Sequence, residues 1–240
     1  MHQEHLKIEN IPAILWGEAS EKVYLVVHGK YGSKEEAEGF ANVVVPKGWQ
    51  VLSVDLPEHG ERKEEVGRFN PWEIVPELER VMQYMKAHWQ HISLSAGSIG
   101  AWFSMQAYKD EVFENCLFVS PLVDMLQLIT YMMQEAEVTE TLLKEKQEIV
   151  TDSGEVLSWR YLQYAKQHPI MKWSSDTAVL YGSNDYFTQR DTMEAFCKRL
   201  HMQLTVIEKG EHWLHTPKEL EILKHWQEEN TKLEKLDEID

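Results

Sequence analysis

Cysteine is nearly absent from this chain, with only Cys116 and Cys197 among 240 residues. Two thiols far apart in sequence form neither a disulfide framework nor a CxxC pair, which excludes zinc-finger chemistry and sets a reduced, intracellular protein as the expectation. Basic residues are also scarce: 24 Lys and Arg stand against 40 Asp and Glu, for a formal net charge of −16. A field of that sign repels phosphate backbones and anionic lipid surfaces, so neither nucleic acid nor a membrane is expected as a partner. No window approaches the roughly 18–20 uninterrupted apolar residues of a membrane helix, and the first residues lack a basic start followed by an apolar run. A cytoplasmic location is the expectation. Internal repeats and low-complexity tracts are missing as well.

Core material is plentiful. Apolar residues make up 43% of the chain and aromatics 10%, including nine Trp, which excludes intrinsic disorder. The length fits one domain over residues 1–240. Short runs rich in β-branched residues predict strands at 5–8, 13–16, 23–28, 50–55, 91–94, 116–119, 178–181 and 205–207. The first two, joined by Glu9-Asn10-Ile11-Pro12, read as an antiparallel entry to the sheet, and the rest as parallel members. Helical periodicity predicts helices at 34–45, 71–89, 100–108, 188–200 and from 217 onward. Ser33 and Thr188 are candidate caps, and Pro217 suits a first helical position.

This alternation predicts an α/β fold, an eight-stranded, mostly parallel sheet flanked by helices. Residues 124–171 break the rhythm. No strand run appears there, and the segment reads as two or three helices around the turn Thr151-Asp152-Ser153-Gly154, an insertion after the sixth strand taken as a lid. The end of the chain, 228–240, is charged, with Leu233 and Leu236 among its few apolar points, and reads as a solvated helix end. Monomer and homodimer both remain open.

The segment His91-Ile92-Ser93-Leu94-Ser95-Ala96-Gly97-Ser98-Ile99-Gly100 carries chemistry. An apolar strand gives way to small residues, then to a serine, then to a helix start. A nucleophilic serine needs such a place: a sharp turn projects its hydroxyl beyond the sheet edge, small side chains two before and two after avoid a clash, and the helix N-terminus favours developing negative charge. Ser98 has Ala96 and Gly100 in those positions. Ser95, between Ser93 and Gly97, is the alternative, although it would end the strand early and leave the helix start three residues late.

With these residues the chain resembles the α/β-hydrolase superfamily, and the likeness runs over nearly its full length. The superfamily pattern is Gly-x-Ser-x-Gly, from which Ala96 departs. The resemblance implies an oxyanion site built from the backbone N–H groups of Lys30, in the turn His28-Gly29-Lys30-Tyr31-Gly32, and of Ile99, next after the nucleophile. It makes the loop Asp55-Leu56-Pro57-Glu58-His59-Gly60 an organising element, with Asp55, His59 and also His28 structural. It further implies Asp185, in Gly182-Ser183-Asn184-Asp185, as the acid, with Asp124 as the substitute. His212, in Gly210-Glu211-His212, becomes the base, with His215 the competitor. The order serine, acid, histidine is the superfamily order.

Zinc held by His212 and His215 is not supported, since two histidines leave a site short. No metal or organic cofactor is implied. What the resemblance implies is a serine hydrolase cleaving a small carboxylic ester or related acyl compound. A peptidase or thioesterase of the same fold, or a non-catalytic binding or scaffold protein, are the alternatives. Tyr31, Met125, Ile129 and Met132 are the candidate substrate-binding residues, with plain helix packing the other reading of the apolar stretch from Met125 to Met133.

Overall fold

The apolar runs form strands in the computed structural model, which describes residues 1–231. In chain order they are β1 (Gln3–Ile8), β2 (Ile11–Trp16), β3 (Lys22–Val27), β4 (Gln50–Val54), β5 (His91–Gly97), β6 (Cys116–Val119), β7 (Glu148–Val150), β8 (Val156–Ser158), β9 (Thr177–Gly182) and β10 (Gln203–Ile207). Eight of these make one sheet in the order β1-β2-β4-β3-β5-β6-β9-β10. β2 runs antiparallel to β1 and β4, and the remaining pairs are parallel. The helices are α1 (Ala37–Val44), α2 (Pro71–His88), α3 (Ser98–Ala107), α4 (Met125–Glu135), α5 (Glu140–Lys146), α6 (Trp159–Gln167), α7 (Arg190–Arg199) and α8 (Pro217–Asn230).

Strand alternation explains why helices cover both faces. Along β3, Val23, Leu25 and Val27 face a core shared with Ile74, Leu78 and Val81 of α2, Phe103 of α3 and Phe196 of α7. Tyr24 faces the opposite core, with Phe40 and Val44 of α1 and Trp226 of α8, as the two-residue period of a strand requires. Each fully buried aliphatic side chain contributes about 1.5–3 kcal/mol relative to exposure, so a sheet buried on both faces is strongly held. α2 begins at Asn70, whose side chain accepts from the Glu73 N–H, with Pro71 at the first helical position. α8 begins with a capping box between Thr216 and Glu219, and Pro217 occupies its first position.

Several sequence expectations are corrected. Ser33 makes no side-chain cap bond; a short 3-10 turn, Lys34–Glu36, precedes α1 instead. Thr188 does not cap α7, which starts after Gln189. Thr188 is buried because its N–H is drawn to Asp185 and its carbonyl accepts from the Tyr181 hydroxyl. β5 extends to Gly97, past the predicted end at 94, so α3 starts at Ser98.

The 124–171 insertion holds the three helices α4, α5 and α6, but also the antiparallel hairpin β7–β8. Its strands are three residues each, too short to carry a readable alternation. Leu128, Leu143, Leu157 and Leu162 of the insertion join the core on the α2 and α3 face. Leu233 and Leu236 lie outside the described residues. Among the described residues no helix is long and apolar enough to cross a membrane.

Candidate active site

The turn from β5 into α3 places Ser98 at φ +49°, a left-handed conformation that costs a non-glycine residue on the order of 1–3 kcal/mol and persists only where surroundings impose it. Those surroundings are identifiable. The Ser98 carbonyl accepts from the Leu122 N–H at 3.1 Å, which ties the turn to the chain leaving β6. A side chain at position 100 would put its Cβ 2.3 Å from the His28 carbonyl oxygen and 2.7 Å from that of Val27. Glycine there lets the first turn of α3 press against the end of β3. Ala96 sits buried in β5 opposite Val27 and Phe118. Ser95 lies inside β5, opposite Val26 and Leu117, away from the turn.

The ends of β9 and β10 bring Asp185 and His212 to the same point. Ser183 N–H donates to Ile207 O at 3.0 Å, Asn184 N–H to Gly210 O at 2.8 Å, and Lys209 N–H to Ser183 Oγ at 2.7 Å. These bonds zip the two loops together, and a Cβ at Gly182 would lie 2.5 Å from the Glu211 carbonyl oxygen. The Asp185 carboxylate is fully buried. Its Oδ1 accepts from the N–H groups of Phe187 and Thr188 at 2.8 and 3.2 Å. Its Oδ2 lies 2.6 Å from His212 Nδ1, and His212 Nε2 lies 2.8 Å from Ser98 Oγ. A carboxylate at Nδ1 holds the ring proton there, so Nε2 faces the serine as an acceptor. The Phe187 ring packs edge-on to the imidazole at 4.6 Å.

The competing candidates lie elsewhere. His215 stacks on Trp213 and donates its N–H to Glu219 at the start of α8. Asp124 is exposed and caps α4 by accepting from the Gln127 N–H at 2.9 Å. Among the described residues no group of three His, Cys, Asp or Glu could hold a metal ion.

On the other flank, the turn after β3 runs alongside the serine: a Cβ on Gly29 would sit 3.8 Å from Ser98 Oγ. Two histidines hold this turn. His28 donates from Nδ1 to Gly29 O at 2.7 Å and accepts the Leu56 N–H at Nε2. His59 donates from Nδ1 to Pro57 O and accepts the Tyr31 N–H at Nε2, 2.9 Å away. Burial pushes His28 down to about 4, which keeps the neutral imidazole this bonding requires. Beneath them the buried Asp55 carboxylate accepts from the backbone N–H groups of Lys34 and Glu61 and pairs with Lys34 Nζ at 2.7 Å.

The structure therefore brings Ser98, His212, Asp185 and the 29–31 turn together. Ile99 belongs to the first turn of α3, where leading N–H groups have no intrahelical acceptor. Tyr31 is 82% exposed. Met125 and Ile129 are buried in the core and Met132 is packed against it, because this face of α4 supplies the contact with the body. Two residues escaped the sequence reading. Phe187 follows Asp185 by two positions, a spacing that could have flagged it. Glu155, on the hairpin, meets Lys30 across 125 positions, and no local signal marks it.

No protein-family model matches the sequence, and no curated protein matches it. Solved structures do. The chain is similar to Est1E from Butyrivibrio proteoclasticus with ferulic acid bound, at 16% identity and a TM-score of 0.73, covering 94% of this chain and 96% of that one. Alpha/beta hydrolase domain-containing protein 10 from mouse is similar at 12% identity and a TM-score of 0.75, with 95% and 98% covered. Monoacylglycerol lipase from Paleococcus ferrophilus is similar at 13% identity and a TM-score of 0.64, with 92% and 99% covered. The chain has the α/β-hydrolase fold.

Proposed function

We propose that this protein is a serine hydrolase that cleaves a small carboxylic ester or related acyl compound through an acyl-enzyme. The observation that carries the reading is the continuous relay from Ser98 Oγ to His212 Nε2 at 2.8 Å and from His212 Nδ1 to Asp185 at 2.6 Å. In this mechanism His212 takes the Ser98 proton as the hydroxyl attacks the acyl carbonyl. Asp185 holds the tautomer and stabilises the imidazolium. The N–H groups of Lys30 and Ile99 take the oxyanion, each donor being worth about 3–4 kcal/mol in comparable sites. His212 then returns the proton to the leaving group, and a water activated by the same ring releases the acid. The substrate is a small acyl compound, and no cofactor enters any step.

The test is hydrolysis of p-nitrophenyl acetate and of a matched thioester, with a rapid-mixing search for a burst. The expected result is turnover that Ser98→Ala and His212→Ala each reduce by about 10⁴–10⁶-fold and Asp185→Asn by about 10⁴-fold. Equal rates in wild type and Ser98→Ala would overturn the reading. The ester-to-thioester ratio identifies the bond preferred.

A further inference from the structure

The turn after β3 holds a tyrosine in a backbone conformation that its type disfavours. The Gly32 N–H donates to the Gly29 carbonyl at 3.2 Å, which closes a four-residue turn over Gly29-Lys30-Tyr31-Gly32. Tyr31, the third residue, has φ +68°. A positive φ at that place marks type II geometry, where glycine is ordinary, and another residue keeps it only where its surroundings impose it. The tyrosine side chain supplies little of that restraint, since it is 82% exposed. The backbone supplies it: the Tyr31 N–H donates to His59 Nε2 at 2.9 Å. A backbone N–H can only donate, so the ring proton sits on Nδ1, which donates to the Pro57 carbonyl at 2.8 Å. The His59 ring is buried and packs against the rings of His28 and Phe69, at 5.1 and 4.5 Å between centroids, so the acceptor is fixed in place.

The peptide before it carries the donor used in the proposed mechanism. The Gly29 carbonyl accepts from His28 Nδ1 at 2.7 Å, and in a planar trans peptide the Lys30 N–H points the opposite way. Each of the two peptides that flank Lys30 is therefore held by one histidine, His28 on the first and His59 on the second. The turn also runs against the nucleophile, because a Cβ on Gly29 would lie 3.1 Å from Ser98 Cβ. We propose that His59 is a positioning residue for the oxyanion site: by holding the Tyr31 N–H it keeps the turn that bears the Lys30 N–H in a form that Tyr31 would otherwise leave. The inference rests on the hydrolase reading and adds to it a dependence of the rate on a side chain outside the Ser98–His212–Asp185 relay.

Two substitutions separate the two bonds of the ring. In His59→Asn the side-chain amide takes the place of Nδ1 and keeps the Pro57 bond, but is too short to reach the Tyr31 N–H. In His59→Gln the amide oxygen reaches the place of Nε2 and still accepts that N–H. With p-nitrophenyl acetate, His59→Asn is expected to lower kcat about tenfold with KM nearly unchanged, a part of the roughly 10²–10³ that loss of a whole oxyanion donor costs. His59→Gln is expected to stay within about threefold of wild type, and exchange of the Tyr31 amide to quicken about three- to tenfold in the Asn variant alone, the range of one hydrogen bond. Glycine takes φ +68° without strain, so on a Tyr31→Gly background the further effect of His59→Asn is expected to shrink to about twofold.

Equal loss of rate in His59→Asn and His59→Gln would overturn the proposal, since that outcome assigns His59 to the general upkeep of its loop. A folded His59→Gln slowed tenfold would do so on its own, whether or not the Asn variant folds. So would a His59→Asn effect that Tyr31→Gly leaves undiminished, or an unchanged Tyr31 amide. A wild type that neither turns over the ester nor takes a fluorophosphonate would overturn the hydrolase reading instead, and the exchange of the Tyr31 amide would then decide by itself whether His59 holds the turn.

Discussion

His28 shows how much of the site depends on a side chain that touches no reacting atom. Its ring uses both nitrogens on backbone groups, Gly29 O and Leu56 N–H, and only the neutral form can accept at Nε2. Burial accordingly lowers its pKa from 6.5 to about 4. Because the folded value lies below the unfolded one, this contribution is fully present above pH 6.5 and is lost as pH falls toward 4, where the unfolded chain binds the extra proton. A shift of that size is worth on the order of 3 kcal/mol. Urea unfolding followed from pH 7 to 4 is expected to show a decline that is shallower in His28→Gln by about that amount. Parallel profiles for the two proteins would contradict this account of the turn. Ser98, by contrast, carries its strain locally, held at φ +49° by the Leu122 bond and by the close approach that only Gly100 permits.

At the level of elements, Asp185 and His212, the proposed acid and base, come from different loops, and their alignment depends on how β9 and β10 end. Gly182→Ala is expected to push the 182–185 loop off the 210–212 loop, since its Cβ would lie 2.5 Å from main-chain atoms of Gly210 and Glu211. Overpacking of this kind typically costs about 1–3 kcal/mol. The expected signature is a variant that folds, with a lowered urea midpoint, and modifies Ser98 at least tenfold more slowly, a loss set by misplacement of reacting groups. A normal modification rate at a lowered midpoint would show that the two loops align without this contact.

Legibility also varied by element. All eight strands of the main sheet were readable, most of them as compact apolar runs and β1 from Leu6 and Ile8 beside the turn at Asn10, and the Ser98 turn was readable because its small neighbours are local. The hairpin β7–β8 was not, since Glu148-Ile149-Val150 and Val156-Leu157-Ser158 are too short to show a period and gain their pairing from the turn between them. The caps at Ser33 and Thr188 failed for a tertiary reason. Lys34 is drawn into the Asp55 pair, and Thr188 is turned inward by Asp185 and Tyr181. The contacts that complete the site, Glu155 on Lys30 and Phe187 on His212, join distant segments that no local pattern records.

For the whole molecule, the net charge of −16 surrounds a site beside which Lys30 is already paired with Glu155. Long-range repulsion should then govern which acyl compounds arrive. At low ionic strength a neutral ester is expected to be turned over with a kcat/KM about tenfold above that of the same ester bearing a carboxylate, and added salt should close the gap. A gap that salt leaves untouched would place the discrimination in the pocket instead of the field.

The central claim, an activated serine at position 98, is tested most directly by intact-mass spectrometry after exposure to a small fluorophosphonate, with peptide mapping of the adduct. The account predicts one adduct, on Ser98, lost in Ser98→Ala and His212→Ala and retained in Ser95→Ala. A well-folded wild type that takes no adduct, or an adduct that persists in Ser98→Ala, would contradict it.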